Sequence, residues 1–189
     1  MAARILSNRN TQNNDMATEI KDLDYSDLEG GLVRMFDRFK ESGTLTGESE
    51  IDDFIRQDPN AALLGLLYDQ RIRAEIAFRG AYRLHERLGH LDMRKIADMD
   101  PDQFRDVFMN PNPVHRFGFK MAEYTQKVAQ IVADEYKGNA ANMWNDGVDY
   151  GTIRKRIRKL PGFGAEKAEK LRYMLHYFGH VDATGFTGV

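Results

Sequence analysis

The run Leu160-Pro161-Gly162-Phe163-Gly164-Ala165-Glu166-Lys167-Ala168 joins two stretches of helical character. Upstream, residues 151–159 are basic, with Arg154, Lys155, Arg156, Arg158 and Lys159. Downstream, residues 165–177 are amphipathic. Between them Pro161 fixes φ, and Gly162 and Gly164 open backbone angles closed to other residues. The pattern predicts helix, tight hairpin, helix. Glycines at a helix start also let a phosphate oxygen approach bare backbone N–H groups at the positive end of the helix dipole. Lys167 and Lys170 stand three apart on the second helix and therefore share a face. Two readings follow. In one, Gly162, Phe163, Gly164, Lys167, Lys170 and Arg158 form a non-specific clamp on a DNA phosphate backbone. In the other, the segment is a helix–turn–helix corner with a solvated basic surface.

Charge is distributed in a way that suits an anion-binding face. The 189 residues carry a net charge of −2, which alone argues against nucleic acid. Residues 1–60, however, hold 7 Lys/Arg against 13 Asp/Glu, a net of −6, whereas residues 151–172 hold 8 against 2, a net of +6. The basic block lies on the hairpin. A hydrophobic fraction of 42% is enough for a core, and 30% charged residues cover a surface. No apolar run approaches the ~20 residues of a membrane span. The N-terminus lacks a signal-peptide apolar core, so a cytoplasmic protein is expected. There is no cysteine, hence no disulfide, no thiol nucleophile and no cysteine-ligated iron–sulfur cluster.

Along the chain, residues 1–24 are polar and unpatterned and read as disordered. Residues 28–40 read as a short helix, with Leu32, Met35, Phe36 and Phe39 in helical register, and residues 41–48 as a loop. The boundary is set at 50/51: a tail with one packing helix before it, the main domain after it. Asp58 followed by Pro59 is a helix start, and residues 61–67 are apolar all round, which predicts a buried helix. Polarity returns at Tyr68-Asp69-Gln70-Arg71. The next helix runs through Ile76, Phe78, Tyr82, Leu84 and Leu88 and stops at Gly89. Asp100-Pro101-Asp102-Gln103 starts another, ending near Met109. Asn110-Pro111-Asn112-Pro113 is a break. A long helix spans about 120–136, and a short helical piece surrounds Trp144 at 142–145. No period-two pattern appears, so the fold is expected to be all-α.

These residues resemble a family. The hairpin is similar to that of the helix-hairpin-helix–Gly/Pro/Asp DNA glycosylases, the endonuclease-III-like superfamily, and in particular to its base-excision repair branch. Further segments carry the resemblance in order: Leu63 to Gln70, Glu86 to Asp92 (Glu-Arg-Leu-Gly-His-Leu-Asp), and Val114-His115-Arg116-Phe117. It covers roughly residues 51–179. It implies a two-lobed helical fold around a DNA-facing cleft, shortened at the C-terminus relative to most members. It implies excision of a damaged or mispaired base, flipped out of duplex DNA before its N-glycosidic bond is cut.

Roles carry over residue by residue. Gln70 matches the polar residue that fills the gap left by the flipped base, its amide offering both donors and acceptors. Asp182, in Val181-Asp182-Ala183-Thr184, matches the catalytic aspartate, although its spacing from the hairpin is short and the sequence runs only seven residues further. Asp69 is the fallback carboxylate, because it follows a buried helix and precedes Gln70; helix capping is its other reading. Bifunctional members carry a lysine two residues after the second hairpin glycine. Here that residue is Glu166, with Lys167 one later, which implies a monofunctional enzyme. His115 is expected to bond a loop carbonyl, and Tyr68 and Trp144 to pack in the core. The histidines show no zinc spacing. No cofactor is expected beyond an optional monovalent cation at the hairpin; the expected partner is duplex DNA, with no membrane and no evident protein partner. Two alternatives stand beside excision: a non-catalytic DNA-binding module, and an enzyme that processes bases without excising them, as in phage-type DNA base hypermodification.

Overall fold

The structure, a computed structural model, describes residues 20–186. Among the described residues the chain forms nine α-helices and no strand, and no helix is long and apolar enough to cross a membrane. The helices are α1 Gly31–Ser42, α2 Ser49–Gln57, α3 Pro59–Tyr68, α4 Ala74–Leu88, α5 Met93–Asp98, α6 Pro101–Met109, α7 Gly118–Glu135, α8 Tyr150–Arg158 and α9 Ala165–Tyr177, with 3₁₀ turns at Ala140–Met143 and Ala183–Gly185.

Helix α3 is the axis of the fold. Asp58 caps it, accepting from the amides of Asn60 and Ala61, and Pro59 takes a first-turn position where no N–H is missed. Every residue from Ala61 to Tyr68 is buried. That is the arrangement expected when a helix is apolar all round and has neighbours on all sides. Its closest neighbour is α4. A Cβ on Gly65 would lie 2.2 Å from Cδ1 of Phe78, so the two helices meet at that glycine. Helix α4 ends at Gly89, in the left-handed conformation at φ 75°. Helices α5 and α6 pack on α7, and α9 packs on α3 and α8. Helix α6 begins at Pro101 under the Asp100 cap and ends at Met109, as its start signal and the following Pro-rich break predicted.

Several expectations need correcting. The disorder expected for residues 1–24 falls outside the described residues for 1–19. Residues 20–30 form a strap along α9. His176 Nε2 lies 2.6 Å from the carbonyl oxygen of Lys21, and the Tyr177 hydroxyl donates to the carbonyl of Leu23. The first helix starts at Gly31 rather than at residue 28, because Gly30 holds φ 100°, outside helical space. Leu32, Met35 and Phe36 of α1 are fully buried in the same core as α3 and α9; the Phe36 ring stacks on Tyr177 at 4.4 Å. The expected boundary at residues 50/51 falls within α2. Ile76, expected on the buried face of α4, is exposed. Its neighbour Glu75 is buried instead, held by Arg38 at 2.9 Å and Arg34 at 3.7 Å, both on α1. The helical piece expected at 142–145 lies at Ala140–Met143. Trp144 and Tyr68 are buried, as expected.

Candidate functional site

Where α3 stops and α9 starts, the chain leaves a cleft of about 470 Å³. Its walls are Asp69, Gln70, Arg71 and Ile72 from the segment after α3, Gly162, Gly164, Glu166, Lys167 and Lys170 from the hairpin and α9, and Gly31 from the start of α1. The helix ends at Tyr68 and its last carbonyls need donors: Leu67 takes one from Lys167, and Tyr68 takes one from the Gln70 amide. Arg71 then turns the chain with a left-handed φ of 54°, a conformation that costs a residue with a Cβ about 1–2 kcal/mol. His115 fixes this corner from α7's side. It is buried, with Nε2 3.0 Å from the Tyr68 carbonyl oxygen and Nδ1 accepting from the Phe117 amide. Burial pushes its pKa down, so the ring is neutral with the proton on Nε2. A carbonyl contact is what the sequence predicted for His115.

The hairpin is bare on one side and packed on the other. Gly164 is exposed at the N-terminus of α9, which has no side-chain cap. Among the described residues the amides of Gly162 and Gly164 have no acceptor. Gly162, at φ 81°, turns inward, where a Cβ would meet Leu67 Cδ1 at 2.7 Å and Tyr124 at 2.8 Å. Phe163, expected among the clamp residues, is buried beneath the turn, so its side chain packs inward rather than outward. Arg158 is exposed at the end of α8. Part of the basic block is neutralised: Arg154 pairs with Glu169 at 2.5 Å and Arg156 with Asp146 at 2.7 Å. Among the described residues no ion pair includes Lys155, Arg158 or Lys159.

The two lysines of α9 do not form a solvated face. Lys167 is 8% exposed, lies under Phe163, and donates to the carbonyl of Leu67 at 2.5 Å. Burial drives its pKa down to about 8, against the raising pull of Asp69. Lys170 is 9% exposed, bonded to Glu166 Oε1 at 2.6 Å and 3.9 Å from Asp69 Oδ2. Both ammoniums are therefore turned into the protein, because the hairpin packs α9 against α3 along the lysine face. Glu166, at the position of the lyase lysine in the resemblance, points outward, and Lys167 brings the amine to the cleft.

The two candidate carboxylates part company. Asp69 lies in the cleft with its side chain 8% exposed; burial raises its pKa, while Lys170 and then Lys167 oppose the rise. Asp182 lies past the other end of α9, a helix of 13 residues and so about 20 Å long. It caps the last 3₁₀ turn through Thr184 and pairs with Lys21 at 3.2 Å, and the hydrogen bonds from Thr184 hold its pKa down to about 2. Between Tyr177 and Asp182 the chain turns tightly, with the His180 amide donating to the carbonyl of Leu175, and Asp182 stays beside His176, 3.9 Å from its Nδ1. Asp182 and the hairpin are thus not brought together.

No family model and no curated protein matches this chain.

One residue was not legible beforehand. Phe119, on the first turn of α7, is 65% exposed, with Arg105 5.8 Å from its ring centre. It borders a second cleft of about 500 Å³ with Arg105, Lys120 and Gln126. Lys120 in turn lies 4.6 Å over the ring of Tyr124, the residue that backs Gly162. The sequence predicts the long helix from about residue 120 and gives Phe119 no place, whereas the helix starts at Gly118. Among the described residues no group of three His, Cys, Asp or Glu side chains is placed to hold a metal.

Proposed function

We propose that the protein binds duplex DNA through a helix-hairpin-helix of the glycosylase type and excises a modified or mispaired base. One observation carries this reading. The cleft gathers a buried carboxylate, a buried amine and an amide side chain beside uncapped hairpin amides, from segments about a hundred residues apart in sequence. Buried charges of this kind are costly to hold, which favours a functional role over a merely structural one. The exposed amides at Gly164 suit a phosphate, with Arg158 alongside. Gln70 fills the space of the extruded nucleotide. Asp69, rather than Asp182, supplies the negative charge that stabilises an oxocarbenium-like sugar as the N-glycosidic bond breaks.

A panel of duplexes carrying single modified or mismatched bases tests it, with alkali-labile abasic sites as the readout. Asp69→Asn is expected to abolish base release and leave duplex binding intact. Asp182→Asn is expected to keep both. Binding without base release on every duplex overturns excision and favours the binding-module reading. Loss of activity in Asp182→Asn alone moves the site away from the cleft. Arg158→Ala is expected to weaken binding to all sequences alike and to lower the salt slope by about 1.

The inward placement of Lys167 favours a second reading. An amine with a pKa near 8 is partly unprotonated at neutral pH and can attack a carbonyl carbon. After base loss, Lys167 would condense with C1′ of the abasic sugar and release water. Borohydride would then trap a protein–DNA cross-link, present in the wild type and missing in Lys167→Gln. No cross-link means a monofunctional enzyme.

A further inference from the structure

Asp69 is faced by four charged groups: Lys167, Lys170 and Glu166 from α9, and Glu75 from α4. The two cations are not equivalent. Lys167 already donates to the Leu67 carbonyl. Lys170 spans two carboxylates, Glu166 Oε1 at 2.6 Å on the solvent side and Asp69 Oδ2 at 3.9 Å on the cleft side. The side chains of Lys170 and Asp69 are 11% and 8% exposed, whereas that of Glu166 is 80% exposed. Lys170 Nζ thus sits between an exposed carboxylate and a buried one. Gly30, just before α1, adopts φ 100°, and a Cβ there would lie 3.9 Å from Lys170 Nζ. The strap before α1 therefore passes close to the ammonium, and Gly31 lines the cleft beside it.

From this geometry we infer that Lys170 is a positioning residue: clamped by Glu166, it holds Asp69 in its charged form in the cleft. The inference rests on the reading of Asp69 given above. It assigns the N-terminal segment a part in the site, because Gly30 beside Lys170 and Gly31 in the cleft wall precede the part of the chain that the resemblance covers. The direction of the Asp69 shift agrees: burial raises its pKa and Lys170 is the largest influence opposing the rise. Lys167 cannot substitute at alkaline pH, since it loses its own charge near pH 8.

Carbon-detected NMR titration of the Asp69 carboxyl in the free full-length protein tests the inference without any substrate. The resonance is assigned by its absence in Asp69→Asn. Lys170→Gln is expected to raise the midpoint by roughly 1–3 pH units, the effect of losing one opposite charge at close range. Lys170→Arg is expected to restore most of the shift. Glu166→Gln, an exposed change, is expected to raise the midpoint as well, because it frees Lys170 from its clamp, and it carries the test if Lys170→Gln does not fold. An unchanged midpoint in Lys170→Gln, or a fall in Glu166→Gln (the effect of merely removing a negative charge), overturns the inference. In the same variants the acid limb of base release against pH should follow the NMR midpoint, with kcat affected and KM not. A titration shift with no base release from any duplex upholds the coupling of Lys170 to Asp69 and overturns excision.

Discussion

Gly162 meets two demands at once. Its φ of 81° suits a residue without Cβ, and its Hα side faces Leu67 and Tyr124 at distances no Cβ tolerates. Gly162→Ala is expected to cost about 2–4 kcal/mol, from the left-handed conformation together with overpacking, measured by urea unfolding. Lys167 sets a different test. Its folded pKa of about 8 lies below its ordinary 10.5. Between those values the unfolded chain binds more protons than the folded one, so this group's contribution makes stability rise with pH there. Its penalty is fully present below about pH 8 and is relieved toward pH 10.5. Urea unfolding of wild type and Lys167→Met across that range is expected to show the rise only in the wild type. Both lysines were legible as residues of one helix face. That the face turns inward was not, because periodicity gives relative direction along a helix and not which side meets the core.

Helix ends were the most legible elements, since a cap is local chemistry. Asp58-Pro59 and Asp100-Pro101 each place an acceptor and a proline where the first turn needs them, and both start helices in the structure. Asp58→Ala is expected to lower stability by about 1 kcal/mol, the usual worth of a cap, again by urea unfolding. Helices α2 and α5 were not anticipated. Six residues, as in α5, hold less than two turns, too few for a hydrophobic period to repeat. In α2 the buried face includes Asp52, which accepts from the amides of Leu45 and Thr46 and ties down the preceding loop. A buried carboxylate breaks the apolar pattern that would have marked the helix. Glu75, which no apolar pattern marks, is buried on α4 for a similar reason: two arginines of α1 make it favourable to bury the acid.

At the scale of the whole molecule, the N-terminal segment belongs to the core. Phe36 is fully buried and stacks on Tyr177. Phe36→Ala is expected to cost about 3–5 kcal/mol, a large part of the ~5–15 kcal/mol that holds a typical domain together, and thermal unfolding checks it. The sequence by itself determined the all-α class, the capped helix starts, the hairpin with its paired glycines, and the pairing of Asp69 with Gln70 at the end of a buried helix. Each of these follows from neighbours within a few residues, where backbone angles, capping and periodicity act. Only the tertiary structure put Asp69 in the cleft and Asp182 past the far end of α9, turned Lys167 and Lys170 inward, exposed Phe119, and brought Gly30 close to Lys170. Those outcomes depend on which helix packs against which, and that is decided by burial summed over segments far apart in the chain.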